Sequence, residues 1–201
     1  TLTNSSGNTS KFSQGTYVYD YNSVVVDSTT DAVNGTTTSI AALYANKGGD
    51  GVISLREAIL AANNTANGAS ADRIWFTILG AGPHTISLAS SMPGISDAVF
   101  IDGWTEPNFA GTPVIEISGS NTHNGLRLLA GSAGSTVRGL AIHSISGSSL
   151  EIYSDNNTIV GSYFGTDTTG VAAGLGSTGN GIVVVSGAGN VIGGTTVQER
   201  N

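Results

Sequence analysis

The chain has 201 residues, of which 39% are hydrophobic, 10% charged and 29 glycine, with no cysteine. Seven basic against 14 acidic residues give a net charge of −7 and no basic stripe, which argues against a nucleic-acid partner; no apolar run approaches the ~20 residues that cross a bilayer. Disulfides, a thiol nucleophile and a thiolate metal site are excluded, and low charge with abundant Gly, Ser, Thr and Asn predicts an all-β protein of short strands and tight turns.

Residues 1–15 read as a polar leader or linker with Lys11 its single charge, and residues 16–201 as one domain. Within that domain, 16–72 form a cap and 73–201 a repetitive strand region. Thr16 to Asp27 predicts one or two strands. A Thr/Asp/Asn-rich loop follows, interrupted by a brief apolar run, Ile40 to Tyr44. The convincing helix is Ser54 to Asn63. Ser54 and Glu57 have the spacing of a capping box, Leu55, Ala58, Ile59 and Ala62 share one face, and Asn63-Asn64 ends the run. About three turns are not stable alone in water, so this apolar face must cover an end of the strands. Further strands are expected over Arg73–Ile78, Thr85–Leu88, Ala98–Gly103 and Pro113–Ile117, with a longer loop at Trp104–Phe109.

The second half repeats itself. Ser135-Thr-Val-Arg-Gly139, Asn157-Thr-Ile-Val-Gly161 and Asn190-Val-Ile-Gly-Gly194 are offset by 22 and 33 residues. Asn124-Gly-Leu-Arg-Leu, Ser148-Ser-Leu-Glu-Ile and Asn180-Gly-Ile-Val-Val are offset by 24 and 32. Both series lengthen in the same interval, so one insertion of about ten residues, within 165–178, accounts for both. A period near 22 residues with two or three short strands predicts one turn of a parallel β-solenoid, with Ser135, Asn157 and Asn190 stacked as a polar ladder. The alternative is an antiparallel sandwich with periodic turns.

Asp50-Gly-Val-Ile-Ser-Leu-Arg-Glu-Ala-Ile-Leu-Ala-Ala-Asn63 resembles the N-terminal capping region of bacterial secreted or cell-surface proteins with a Ser-Leu-Arg-Glu-Ala (CSLREA-type) signature; Ile53 stands where that family often has Cys. Ala71-Asp-Arg-Ile-Trp-Phe76, Val99-Phe-Ile-Asp-Gly103, Gly111-Thr-Pro-Val-Ile-Glu-Ile117, Gly161-Ser-Tyr-Phe-Gly-Thr-Asp167 and Gly189-Asn-Val-Ile-Gly-Gly-Thr195 extend the resemblance over residues 24–195. It implies a right-handed parallel β-helix with a short N-terminal capping helix, in a large extracellular protein, and transfers no catalytic motif.

Asn46-Lys-Gly-Gly-Asp-Gly-Val-Ile-Ser-Leu-Arg-Glu57 overlays part of a calcium-binding loop, with Asn46, Asp50 and Glu57 as candidate ligands. Gly48 supplies no side-chain oxygen, and a turn before a capped helix explains the same residues. Asp97, Asp102, Glu116, Glu151, Asp155 and Asp167 are the acidic residues to test as a catalytic cluster. The repeat offsets instead place Glu116 opposite Arg138 and Arg127 opposite Glu151, as ordinary cross-strand pairs. His84 and His123 read as turn residues and His143 as a polar strand edge, without metal-ligand spacing. Trp104 and Phe109, with Glu106 and Asn108 at the rim and Tyr163 alongside, are the candidate carbohydrate-stacking platform. The alternative is a loop folded back to bury Trp104.

The expectation is a secreted or cell-surface β-helix module without catalysis, acting as stalk or adhesion domain, with a polysaccharide and further domains of the same chain as partners. The chain stops at Asn201 just after a repeat and without a second cap, which predicts further strands or another domain beyond it. The alternative is a polysaccharide lyase or glycosidase with carboxylates converging on one face.

Overall fold

The computed structural model describes residues 22–171 and 174–201, together with two short strands, β1 (Leu2–Thr3) and β2 (Thr9–Ser10), which pair antiparallel. The boundary expected at residues 15–16, and residues 16–21 of the first expected strand, lie outside the described residues.

The remaining fold is mostly short strands in parallel sheets, with two helices. Six strands form the largest sheet: β3 (Ser23–Val26), β4 (Asp72–Phe76), β6 (Val99–Asp102), β9 (Thr136–Arg138), β12 (Thr158–Val160) and β15 (Val191–Ile192). A four-stranded sheet holds β5 (His84–Ser87), β7 (Ile115–Ser118), β10 (Leu140–His143) and β13 (Tyr163–Phe164). The third contains β8 (Leu126–Leu128), β11 (Leu150–Ile152) and β14 (Ile182–Val184). All pairings within these three sheets are parallel, which rules out the antiparallel sandwich. From β6 onward the chain visits the six-, four- and three-stranded sheets in that order and begins again.

Strand alternation sorts the side chains. Ile74, Ile101, Val137 and Ile159 from the first sheet, Ile86, Ile117 and Ile142 from the second, and Leu126, Leu128, Leu150 and Ile152 from the third are fully buried in one core. Truncating any of these to alanine costs about 2–5 kcal/mol. On the outermost strands, Val184, Val191 and Ile192 remain about half exposed.

Helix α2 (Leu55–Asn63) forms as expected. The Ser54 hydroxyl accepts the Glu57 N–H and the Glu57 carboxylate accepts the Ser54 N–H, completing the capping box. Its apolar face packs on β3 and β4. Arg56, almost buried, makes a two-bond ion pair with Asp31 at 2.9 and 2.6 Å and donates to the Ser90 and Ser91 carbonyls, tying cap to strands. The run Ile40–Tyr44, expected as loop, belongs to a second helix, α1 (Ile40–Ala45). It has one turn and a half and therefore no readable period; the Ser39 cap and the burial of Ile40 and Leu43 hold it. Its Tyr44 hydroxyl accepts the Val25 N–H, covering the free edge of β3.

The ladder forms, with Ser135 and Asn157 fully buried and Asn190 half-buried. The Val99 N–H donates to Ser135 Oγ, the Ser135 N–H to Asn157 Oδ1 at 3.0 Å, and the Asn157 N–H to Asn190 Oδ1 at 2.9 Å. A second ladder, without a recognisable sequence repeat, runs from the Leu140 N–H to Ser162 Oγ and from the Ser162 N–H to Asn201 Oδ1. Arg127 lies directly opposite Glu151, as expected. Glu116 does not lie opposite Arg138: it pairs with Ala141 in the four-stranded sheet, while Arg138 pairs with Asp102 in the six-stranded one. The 22-residue offset holds between β9 and β12 (158 − 136), but loops make it 25 between β7 and β10 (141 − 116) and 36 between β6 and β9 (138 − 102).

Candidate functional site

Because Ile74, Phe76, Val99 and Ile101 point into the core, Arg73, Trp75, Phe100 and Asp102 point out of the six-stranded sheet. Parallel register sets Arg73 beside Phe100 and Phe100 beside Thr136, and sets Trp75 beside Asp102 and Asp102 beside Arg138. Arg73 is exposed, and Trp75 and Phe100 are half-buried, each keeping ring surface toward solvent.

The Trp104 loop folds onto this face. Asp102 Oδ1 accepts the Trp104 N–H at 3.1 Å, starting a 3-10 turn over Gly103–Thr105. The same carboxylate takes two bonds from Arg138, at 2.7 and 2.6 Å. The Arg138 guanidinium then lies 4.7 Å from the Phe100 ring centroid and 4.2 Å from that of Trp104. Each such contact contributes about 0.5–1 kcal/mol at an exposed site and more where water is excluded. Trp104 stacks on Phe109, with ring centroids 5.6 Å apart and planes at 26°.

Glycine makes room for the indole. Gly139 and Gly161, the closing residues of two sequence repeats, have φ of +71° and +57° and lie under Trp104. A Cβ on Gly139 would fall 2.5 Å from Trp104 Cδ1, and one on Gly161 2.9 Å from Trp104 Cζ2. Trp104 is thus half-buried with its Nε1 enclosed and lacking a hydrogen-bond partner, while part of the ring stays open to solvent. Neither an open platform nor a buried loop describes it alone.

The five residues expected to stack on carbohydrate separate. Trp104 and Phe109 stay together on this face. Glu106 does not reach the rim: it is 2% exposed, its Oε2 accepts the Ile78 N–H at 2.9 Å and its Oε1 lies 3.5 Å from His84 Nε2. A buried backbone N–H needs an acceptor, and Glu106 supplies it. Asn108 is exposed but fastens the loop through Nδ2 to the Gly80 carbonyl at 2.8 Å. Tyr163 belongs to the four-stranded sheet, beside Gly170, and leaves the site. Trp75, Phe100 and Arg73 join it. The alternation in Arg73-Ile-Trp-Phe-Thr-Ile78 and in Val99-Phe-Ile-Asp102 was the signal for them, since the aromatic residues Trp75 and Phe100 at outward positions have no core to fill.

The candidate calcium ligands are each engaged in hydrogen bonds within the cap. Glu57 accepts from the Asn34, Gly35 and Ser54 N–H groups. Asp50 accepts from Asn34 Nδ2 and the Val52 N–H, and these two bonds hold its carboxyl below the usual aspartate range. Asn46 bonds to Thr36 and Gly48. Among the described residues, no group of three or more His, Asp or Glu is placed to hold a metal ion.

The acidic residues tested as a catalytic cluster scatter over different sheets and turns. Asp102 pairs with Arg138; Glu116 accepts from Thr85 at 2.5 Å and from the Thr168 N–H; Glu151 accepts from Tyr153 and raises that phenol's pKa. Asp97 accepts from the Ala98 N–H and from Asn67 Nδ2, Asp155 accepts from the Ala188 N–H of the next repeat, and Asp167 serves its own turn, where the Thr169 hydroxyl holds its carboxyl below the ordinary range. His84 opens β5 and is buried instead of lying in a turn; His143, also buried, meets Ser144 Oγ at 3.1 Å through Nδ1. Among the described residues, no helix is long and apolar enough to cross a membrane. Comparison of the chain with protein-family models, with curated proteins and with solved structures finds no match in any of the three.

Proposed function

We infer that the protein is a non-catalytic carbohydrate-binding module built on a right-handed parallel β-helix. The order in which the chain revisits three parallel sheets, and the two side-chain ladders between successive strands, support the helical winding. Parallel crossover connections are right-handed in ~98% of cases, which supports the hand. The Ser54–Asn63 cap on β3 and β4 is consistent with membership of the CSLREA-type surface proteins and hence with a secreted or cell-surface location, as a stalk or adhesion element.

The observation that carries the binding reading is the outward aromatic face: Trp75, Phe100 and Trp104, with Arg138 held between the last two rings. An aromatic ring offers the apolar face of a sugar a flat, low-entropy surface, and Thr136 and Thr158, in register with Phe100 across adjacent strands, add hydroxyls. Spread carboxylates, each already hydrogen-bonded, favour binding over glycosidic cleavage, which needs a converging pair.

Affinity electrophoresis against neutral and acidic polysaccharides tests this with Trp75→Ala and Phe100→Ala, both outward and away from the core. Losing one stacking ring, at about 0.5–1.5 kcal/mol, weakens binding roughly two- to tenfold. Retardation that both variants preserve, or no retardation by any polymer, overturns the assignment and leaves a spacer.

A further inference from the structure

Resting on the carbohydrate-binding reading of the six-stranded sheet, we propose that the ligand is an anionic polysaccharide and that Arg73 is the residue that selects its charge. Two guanidinium groups point outward on this face, those of Arg73 and Arg138. Asp102 occupies Arg138 through both carboxylate oxygens. Arg73 is exposed, and among the described residues no carboxylate pairs with it. Asp102 is the one carboxylate among the outward residues of the described strands of this sheet, so their sum is 2 − 1 = +1 on a chain whose net charge is −7.

A positive site on a negative protein is selective. The chain as a whole repels polyanions, so retention of one depends on a local contact and not on diffuse attraction. A guanidinium fork matches carboxylate or sulfate oxygens with two parallel bonds, and its planar face tolerates the neighbouring ring of Phe100. Arg73, Phe100, Thr136 and Thr158 lie in register on four successive strands. At about 4.8 Å per strand they span about 14 Å, enough for an extended chain of several sugars crossing the strands with an acidic group at Arg73 and rings over Phe100 and Trp75.

The test compares matched polymers: polygalacturonate with its methyl ester for carboxylate, and dextran sulfate with dextran for sulfate. Wild type is expected to bind the charged member of at least one pair ten times or more tightly than its neutral partner, with Arg73→Gln bringing the two within about twofold and Trp75→Ala weakening both. Arg73 is exposed, so the substitution leaves folding intact. Equal binding of charged and neutral members, or a preference that survives Arg73→Gln, overturns the proposal while carbohydrate binding stands. Binding unchanged by Trp75→Ala and Phe100→Ala removes the face itself, and the proposal with it.

Discussion

Replacing Asn157 by alanine tests whether the buried polar ladder ties successive strands together. Asn157 is fully buried, its Oδ1 accepts the Ser135 N–H at 3.0 Å, and its Nδ2 donates to the Ser154 carbonyl, Ser154 Oγ and Asn190 Oδ1. After truncation the Asn190 oxygen keeps the Asn157 N–H, and the Ser154 carbonyl keeps Asn190 Nδ2. The Ser135 N–H, at a residue with no exposed surface, loses its shorter bond and keeps only the one to the Ser132 carbonyl at 3.2 Å. Losing a buried hydrogen bond costs about 0.5–1.5 kcal/mol, and the cavity left by the amide adds to it, so the expected loss is about 2–3 kcal/mol. Asn190→Ala is the comparison: water reaches that half-buried position, and the expected cost is about 1 kcal/mol. Urea unfolding followed by circular dichroism, with the m-value unchanged, reads both. A cost for Asn157→Ala no larger than for Asn190→Ala would refute the assignment of strand-to-strand stability to the buried ladder.

Gly139→Ala is expected to cost more than Gly134→Ala, because both glycines have positive φ but the Gly139 Cβ meets Trp104 whereas that of Gly134 meets open space. The left-handed conformation accounts for about 1–2 kcal/mol in both, and the excess, with a red shift of tryptophan emission, reports displacement of the indole. The depressed pKa of Asp167 means that its contribution is present above the ordinary value of 3.8 and is lost as pH falls through the folded-state value. The difference in melting temperature between wild type and Asp167→Ala should therefore shrink on acidification from pH near 7 to near 3; a difference independent of pH contradicts the Thr169 contact as its source.

Much of the strand framework was readable because alternation and repeat offsets are local properties of the chain. Ser135, Asn157 and Asn190 recur at the same place in each repeat, and the ladder follows from that recurrence. Arg127 and Glu151 met for the same reason. Glu116 and Arg138 did not, since the loop after Trp104 changes the strand interval, and an interval set by loops has no signature in either strand. Helix α1 was missed because six residues carry too little period, and the Ser39 cap gives only half a signal. The site was legible in part. Trp104 drew notice by standing in a long loop, whereas Trp75 and Phe100 stood inside expected strands with no outward face assigned to either. The partnership of Phe100 with Arg138 depends on an offset of 36 residues between β6 and β9 that no repeat contains. Glu106 looked like a rim carboxylate because its obligation, the Ile78 N–H, lies 28 residues away.

Inside and outside the sheets obey different constraints, and this determines which substitutions can report on binding. Inward, aliphatic stacks and polar ladders make each residue answerable to both neighbouring strands, so a change there alters stability first. Outward, the orientation of Trp75 and Arg73 comes from backbone pairing, and surface changes of that kind usually fall within about 0.5 kcal/mol. Lost binding in those variants can be read as a lost contact. Trp104 is different: Arg138, Phe109 and the two glycines beneath it all pack on the indole, so its removal loosens the joint between the six- and four-stranded sheets as well as the platform. A Trp104 variant that fails to bind is therefore uninformative unless its unfolding is measured too, whereas Trp75→Ala and Arg73→Gln separate recognition from architecture.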